Sequence, residues 1–194
     1  MNNKLSNSEK IIVLDRDGVI NHDSDNFIKS VDEWQAIDGS LNAIAKLNHA
    51  GFKVFVVTNQ SGIARNLFSI ETLNHIHSKM RHLVAEANGE IENIYFCPHG
   101  PNDHCECRKP KAGLYQQLAT EYAVNFNNVF SVGDSIRDLE AAKAAGAKPI
   151  LVLTGKGTRS NQTLQTEENH PLRKTPVYLN LAEFVDQLIN SNQS

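Results

Sequence analysis

Cysteine is scarce in this 194-residue chain: there are three, all between Cys97 and Cys107. So tight and odd a set excludes a disulfide framework and points to a reducing compartment and a metal site. Long apolar runs are missing too, since none approaches the ~18 residues that span a bilayer. Residues 1–10 are polar and lack the apolar core of a secretory signal. The cytoplasm is therefore the expected location, with no membrane partner. Nor is there an excess of basic charge: 19 Lys and Arg against 22 Asp and Glu leave a net charge of −3. Such a chain has no bulk attraction to nucleic acid or anionic lipid. Aromatic residues make up only 7%, too few to suggest a platform for stacking bases. There is no internal repeat and no low-complexity block. What is present, 40% hydrophobic and 21% charged residues, is an ordinary globular composition. The length suits one domain. A flexible N-terminus is expected over 1–10 and a single, monomeric domain over 11–190.

Ile11 to Leu14 is an unbroken apolar run that stops at Asp15, as in a strand covered on both faces. Similar strands are expected over Lys53–Val57, Ile91–Phe96, Val129–Val132 and Ile150–Leu153, with an edge strand at Val177–Leu179. Helices are expected between them. One runs from Ser40, as cap, to His49, with Gly51 ending it. A longer one covers Ser69–Asn88, where Leu73, Ile76, Met80, Leu83 and Ala87 recur every three or four residues. Others cover Gly113–Tyr122, Ile136–Ala145 and Leu181–Leu188, while the polar stretch Ser160–Thr175 is expected to be a mobile loop. Alternating strands and helices define an α/β fold with a largely parallel sheet. Ligands bind such sheets beyond the carboxyl ends of the strands. Asp15, Thr58, Cys97 and Asp134 all stand at or just past a strand's end.

Asp15-Arg16-Asp17-Gly18 alone is as readily a turn as a site. A third acid, Asp134, leaves another strand. Two carboxylates with a backbone carbonyl and waters suit an octahedral oxygen site for Mg2+, and the cation relieves the repulsion of crowded acids. Thr58, Arg108 and Lys109 would add the groups of a phosphate pocket. Asp138 has a plainer use, a negative charge in the first turn of a helix. Cys97-Pro98-His99 followed by Cys105-Glu106-Cys107 supplies the four ligands of a closed structural Zn2+ site, with His104 competing with His99 for the nitrogen position. The zinc loop, 97–107, would fold the segment that carries Arg108 and Lys109.

Asp15–Asn21, Thr58–Arg65, Lys109 and Gly133–Asp138 resemble, in order, the four motifs of the haloacid dehalogenase superfamily of phosphatases. The resemblance runs from Ile11 to Gly157 and is closest to its heptose-bisphosphate 7-phosphatase family. It implies a Rossmann-like three-layer fold with a central parallel sheet, a zinc loop and a minimal cap or none. It also implies that Asp15 is the nucleophile, forming an aspartyl-phosphate, and that Asp17 is the general acid and base. Mg2+ would lie on Asp15, the Asp17 carbonyl and Asp134. Thr58 and Lys109 would hold the phosphoryl oxygens, and His99 is favoured over His104. Asp23, Ser24, Asp25 and Asn26, together with Asn59, Gln60 and Ser61, would meet a phosphosugar substrate, and Arg108 its second phosphate. The implied reaction is removal of the 7-phosphate of a heptose 1,7-bisphosphate, a step toward the nucleotide-activated heptose of lipopolysaccharide.

The chain departs from the family at Ser24–Phe27, where members often carry His-Gly-Tyr, and at Asn66, where they often carry Gly. Alternatives are a histidinol-phosphate phosphatase, a non-catalytic phosphosugar-binding zinc module and a nucleic-acid 3′-phosphatase, the last opposed by the charge. Phe27 and Trp34 would either shield the site mouth or pack. Thr154–Gly157 would either touch phosphate or form a turn. His75 and His82 would face solvent.

Overall fold

A computed structural model of the protein describes residues 9–191. The expected flexible N-terminus falls outside them for residues 1–8, and its last residues are ordered: Lys10 opens the first strand and Glu9 pairs with Lys53. Six strands, β1 (Lys10–Leu14), β2 (Phe52–Asn59), β3 (Asn93–Cys97), β4 (Phe130–Gly133), β5 (Lys148–Val152) and β6 (Val177–Tyr178), form one sheet in the order β3-β2-β1-β4-β5-β6. Every pairing is parallel. Among the described residues the α-helices are α1 (Ser40–His49), α2 (Ile70–Glu86), α3 (Gly113–Tyr122), α4 (Ile136–Ala144), α5 (Gly157–Thr166) and α6 (Leu181–Ser191), and a short 3-10 helix, Phe126–Asn128, precedes β4.

Because side chains alternate along a strand, β1 feeds both faces. Ile12 and Leu14 join Val54, Val56 and Val132 against residues of α1, α2 and α6, such as Leu47, Met80 and Phe184. Ile11 and Val13 join Phe55 and Val57 against α3 and α4. Leu151 turns to Leu139 of α4, Leu164 of α5 and Leu172. The result is the expected Rossmann-like three-layer α/β fold. The segment 15–39 between β1 and α1 carries only isolated bridges, Asp17 with Asn21 and Asn21 with Ala36, and is the minimal cap. Trp34 is packed in the core and fully buried, so it does not shield the site mouth.

Two local expectations are corrected. Ser40 does not cap α1. Gly39 occupies that position at φ 81° and turns the Ser40 hydroxyl inward, where it donates to the Ile20 carbonyl at 2.6 Å. The stretch from Ser160 is not a loop throughout, because α5 runs to Thr166. Its single buried large apolar residue, Leu164, was too little periodicity to reveal a helix. Strand ends otherwise shift by one or two residues, as boundaries do.

Candidate active site

The chain order puts β1 at the switch point, with β2 and β3 on one side and β4 to β6 on the other. The carboxyl ends of β1, β2 and β4 therefore meet at one cleft, of about 270 Å³, lined by Asp15, Asp17, Thr58, Lys109, Asp134 and Asp138. Asp15 follows β1 directly, and its N–H donates to Val132 of β4. The loop then closes tightly, with the Arg16 carbonyl accepting from Ile20 at 2.9 Å and from Asn21 at 3.1 Å. Gly18, at φ +82°, is required here, since a Cβ would stand 2.1 Å from Asp134 Oδ2.

Lys109 is 2% exposed and its Nζ donates to Asp138 Oδ1 at 2.6 Å, the Val57 carbonyl at 2.8 Å and Asp15 Oδ1 at 2.9 Å. Its backbone is gripped by Asn59, whose Oδ1 accepts from the Lys109 N–H while Nδ2 donates to the Lys109 carbonyl. Asp138 also accepts from the Ser135 N–H and hydroxyl, closing a capping box on α4. The helix charge foreseen for Asp138 is thus combined with an ion pair to the buried Lys109.

Burial raises Asp15, opposed by Lys109 and aided by Asp138 and Asp17, so its pKa reaches about 7. Burial, Asp138 and Asp15 push Asp134 up to about 8. Burial works in the same direction on Asp17, but the Arg16 guanidinium and bonds from Asn21 and Gln60 outweigh it and hold that carboxyl below the usual range. Carboxylate oxygens of Asp15, Asp134 and Asp138 lie within 4.8 Å of one another. Three acids beside one ammonium form an all-oxygen donor set with surplus negative charge, which fits a hard divalent cation. Since Asp138 is occupied by Lys109 and Ser135, Asp15 and Asp134 are the carboxylates best placed to hold one.

The Cys/His residues converge beside β3. Cys107 Sγ lies 3.2 Å from Cys97 Sγ and 3.2 Å from His99 Nδ1, and Cys97 Sγ lies 3.7 Å from Cys105 Sγ. Separations near ~3.7 Å are those of a tetrahedron with about 2.3 Å zinc–sulfur bonds. His99 is the nitrogen donor of the set, while His104 is exposed. The Arg108 guanidinium donates to the His99 carbonyl, tying the loop to the cleft.

Asp23, Ser24, Asp25, Ser61 and Arg108, expected to meet substrate, line the cleft, but Asn26 is exposed and outside it. The side chains of Asn59 and Gln60 reach the cleft already engaged, Gln60 by Asp17, Thr58 and Arg16. Phe27 lines the mouth under Arg65, whose guanidinium carbon is 5.6 Å from the ring centroid. Arg65 and Arg137, which the sequence reading placed inside motifs without a role, also line it, as does Lys156 of the Thr154–Gly157 segment. Lys156 pairs with Asp23 at 3.0 Å and its N–H donates to Asp134 at 2.7 Å, and Thr154 donates to the Gly18 carbonyl, so Thr154–Gly157 braces the site. His77 was missed, although it sits in the buried stripe Leu73-Ile76-His77-Met80-Val84 of α2. His75 and His82 are exposed, as expected.

An aspartate pair past the central strand, a buried lysine and a third acid after β4 define a phosphatase-type hydrolase site of the haloacid dehalogenase class. A HAD-hydrolase-like family model matches residues 106–184. A Pseudomonas putida D-glycero-β-D-manno-heptose-1,7-bisphosphate 7-phosphatase is 49% identical over 93% of this chain and 99% of its own. The Neisseria meningitidis enzyme of that name is 46% identical over 94% and 96%. The crystal structure of a Bordetella bronchiseptica D,D-heptose 1,7-bisphosphate phosphatase, complexed with magnesium and phosphate, superposes with a TM-score of 0.88 at 48% identity, covering 94% of this chain and 99% of that one. The chain belongs to the D-glycero-β-D-manno-heptose-1,7-bisphosphate 7-phosphatase family.

Proposed function

We propose that the protein is a Mg2+-dependent phosphatase that removes the 7-phosphate of D-glycero-β-D-manno-heptose 1,7-bisphosphate in the cytoplasm. The observation that carries this reading is the cleft: Asp15 stands 2.9 Å from Lys109 Nζ, and Asp17 and Thr58 line the same cleft. The near full-length relatives supply the substrate.

Asp15 attacks phosphorus and forms an aspartyl-phosphate as the sugar oxygen leaves. Asp17 gives that oxygen a proton, then takes one from the water that hydrolyses the intermediate. The Arg16 guanidinium and the bonds from Asn21 and Gln60 favour the ionised form of Asp17, and the anionic phosphoryl group would raise its proton affinity on binding. Lys109 and Thr58 meet the phosphoryl oxygens. Asp15, the Asp17 carbonyl and Asp134 would hold Mg2+, which supplies charge neutralisation for phosphoryl transfer. Zn2+ on Cys97, His99, Cys105 and Cys107 would be structural, because four protein ligands leave no position for substrate. Arg108 and Arg137 both line the cleft, and Arg108 would meet the second phosphate. Asp23 and Asp25 would favour an ammonium-bearing substrate such as histidinol phosphate, but Lys156 already faces both of them.

The test is phosphate release with Mg2+ from the β and α heptose 1,7-bisphosphates, fructose 1,6-bisphosphate, histidinol phosphate and a 3′-phosphorylated oligonucleotide. A kcat/KM for the β anomer at least ~100-fold above the rest, about 2.7 kcal/mol, is expected. Preference for histidinol phosphate overturns the substrate, and no release at all overturns the enzyme.

A further inference from the structure

Arg16 lies between the two aspartates of the first loop, yet it is 1% exposed and does not reach solvent. Its Nε donates to Asp17 Oδ1 at 3.2 Å, and Nη2 donates to Oδ1 at 2.9 Å, to Oδ2 at 3.0 Å and to Gln60 Oε1 at 3.1 Å. The last corner of the fork, Nη1, stands 3.3 Å from His77 Nε2. Arginine has no acceptor, so this contact needs a neutral His77 with its proton on Nδ1. The His77 ring is itself held edge-on to Phe96 of β3, with centroids 6.0 Å apart.

Burying a guanidinium is costly, and an ion pair between sequence neighbours does little for a fold that apolar residues would hold as well. The geometry suggests another use. Asp17 Oδ1 accepts from Arg16 Nε and Nη2 and from Asn21 Nδ2, which is more than its lone pairs can serve well. Oδ2 accepts from Arg16 Nη2 and from Gln60 Nε2, and that amide has a second acceptor in Thr58 Oγ1 at 3.0 Å. A proton on Oδ2 thus competes with two donors, whereas one on Oδ1 would compete with three.

We propose that Arg16, braced from behind by His77 of α2, is a positioning residue that fixes the Asp17 carboxylate so that Oδ2 is the oxygen carrying the transferred proton. This rests on the reading of Asp17 as general acid and base. In the first half the proton passes from Oδ2 to the leaving oxygen as its bond to phosphorus breaks and the Asp15–phosphorus bond forms. In the second, water gives a proton back to Oδ2 as its oxygen bonds to phosphorus and the Asp15–phosphorus bond breaks. Arg16 and His77 act through Asp17 and take no part in either proton transfer.

The test compares two leaving groups by kcat/KM, which covers only the steps through the first departure. A sugar alkoxide needs a proton from Asp17, whereas p-nitrophenolate leaves without one. Arg16→Met should lower kcat/KM on the heptose bisphosphate by about 100-fold or more, the general-acid range, and that on p-nitrophenyl phosphate at least about ten-fold less. His77→Leu should show the same asymmetry at about 10-fold, and His77→Gln, which restores an acceptor for Nη1, should recover most of it. The His77 pair keeps the test decisive if Arg16→Met does not fold. Equal losses on both substrates would make the network merely structural and overturn the proposal, as would unchanged activity on both. Absence of phosphate release by the wild type from either substrate would instead overturn the phosphatase reading.

Discussion

Lys109 has three acceptors within 2.9 Å and almost no water, so its charge serves the fold as well as the site. Lys109→Met leaves Asp15 and Asp138 buried without their cation, and should cost about 3–5 kcal/mol in urea unfolding besides abolishing turnover. Asp15→Asn should abolish phosphate release too, but with the opposite stability sign. Burial and the neighbouring acids disfavour the Asp15 charge, so in magnesium-free buffer the variant's melting temperature should not fall, and its zinc content should be unchanged. A variant with appreciable turnover would remove Asp15 as nucleophile. His77 sets a pH dependence. Burial first, and then Arg16, lower its pKa from 6.5 to about 3 in the fold. Between those values the unfolded chain binds a proton that the native state does not, so His77 costs stability as pH falls through 6.5. The loss at pH 5 is about 2 kcal/mol. His77→Gln should remove that increment, read as the difference between unfolding free energies at pH 7 and pH 5.

At the scale of elements, the Cys/His loop is built to deliver Arg108 and Lys109, which follow Cys107 without a spacer. It packs on the start of α3, where a Cβ at Gly113 would stand 2.2 Å from the Glu106 carbonyl oxygen. Cys105→Ser should therefore lose bound zinc, lower the melting temperature and raise KM more than it lowers kcat. Metal content unchanged by mass spectrometry would refute the zinc site. Legibility varied with periodicity. The stripe of α2 and the apolar runs of β1 and β2 were readable because each buries a regular face. Helix α5 was not, because Leu164 is its single buried large apolar residue. Asn66, the departure from the family's Gly, adopts φ 56°, a backbone state that Asn tolerates better than most residues.

Across the whole molecule, the cleft exists only because β1 separates β2 from β4, bringing Asp15, Thr58 and Asp134 together from positions far apart in the chain. A cation binding only the folded state should stabilise it by about 2.7 kcal/mol at a hundred times its Kd. Mg2+ should thus raise the melting temperature of the wild type and have little effect on Asp134→Asn; equal shifts would mean that the cation binds elsewhere.

Chain order, strand ends and spacing were enough to single out the acids after β1 and β4, Lys109, Thr58 and the three cysteines, because local backbone periodicity and motif spacing are written along the chain, whereas the choice of His99 over His104 rested on the family resemblance. Partner choice is not local. That Asn59 grips the Lys109 backbone, that Gln60 serves Asp17, that Lys156 answers Asp23 and that His77 stands behind Arg16 follows from sheet order and helix placement. Those bring donors and acceptors within about 3 Å across tens of residues, where burial makes each one choose a partner.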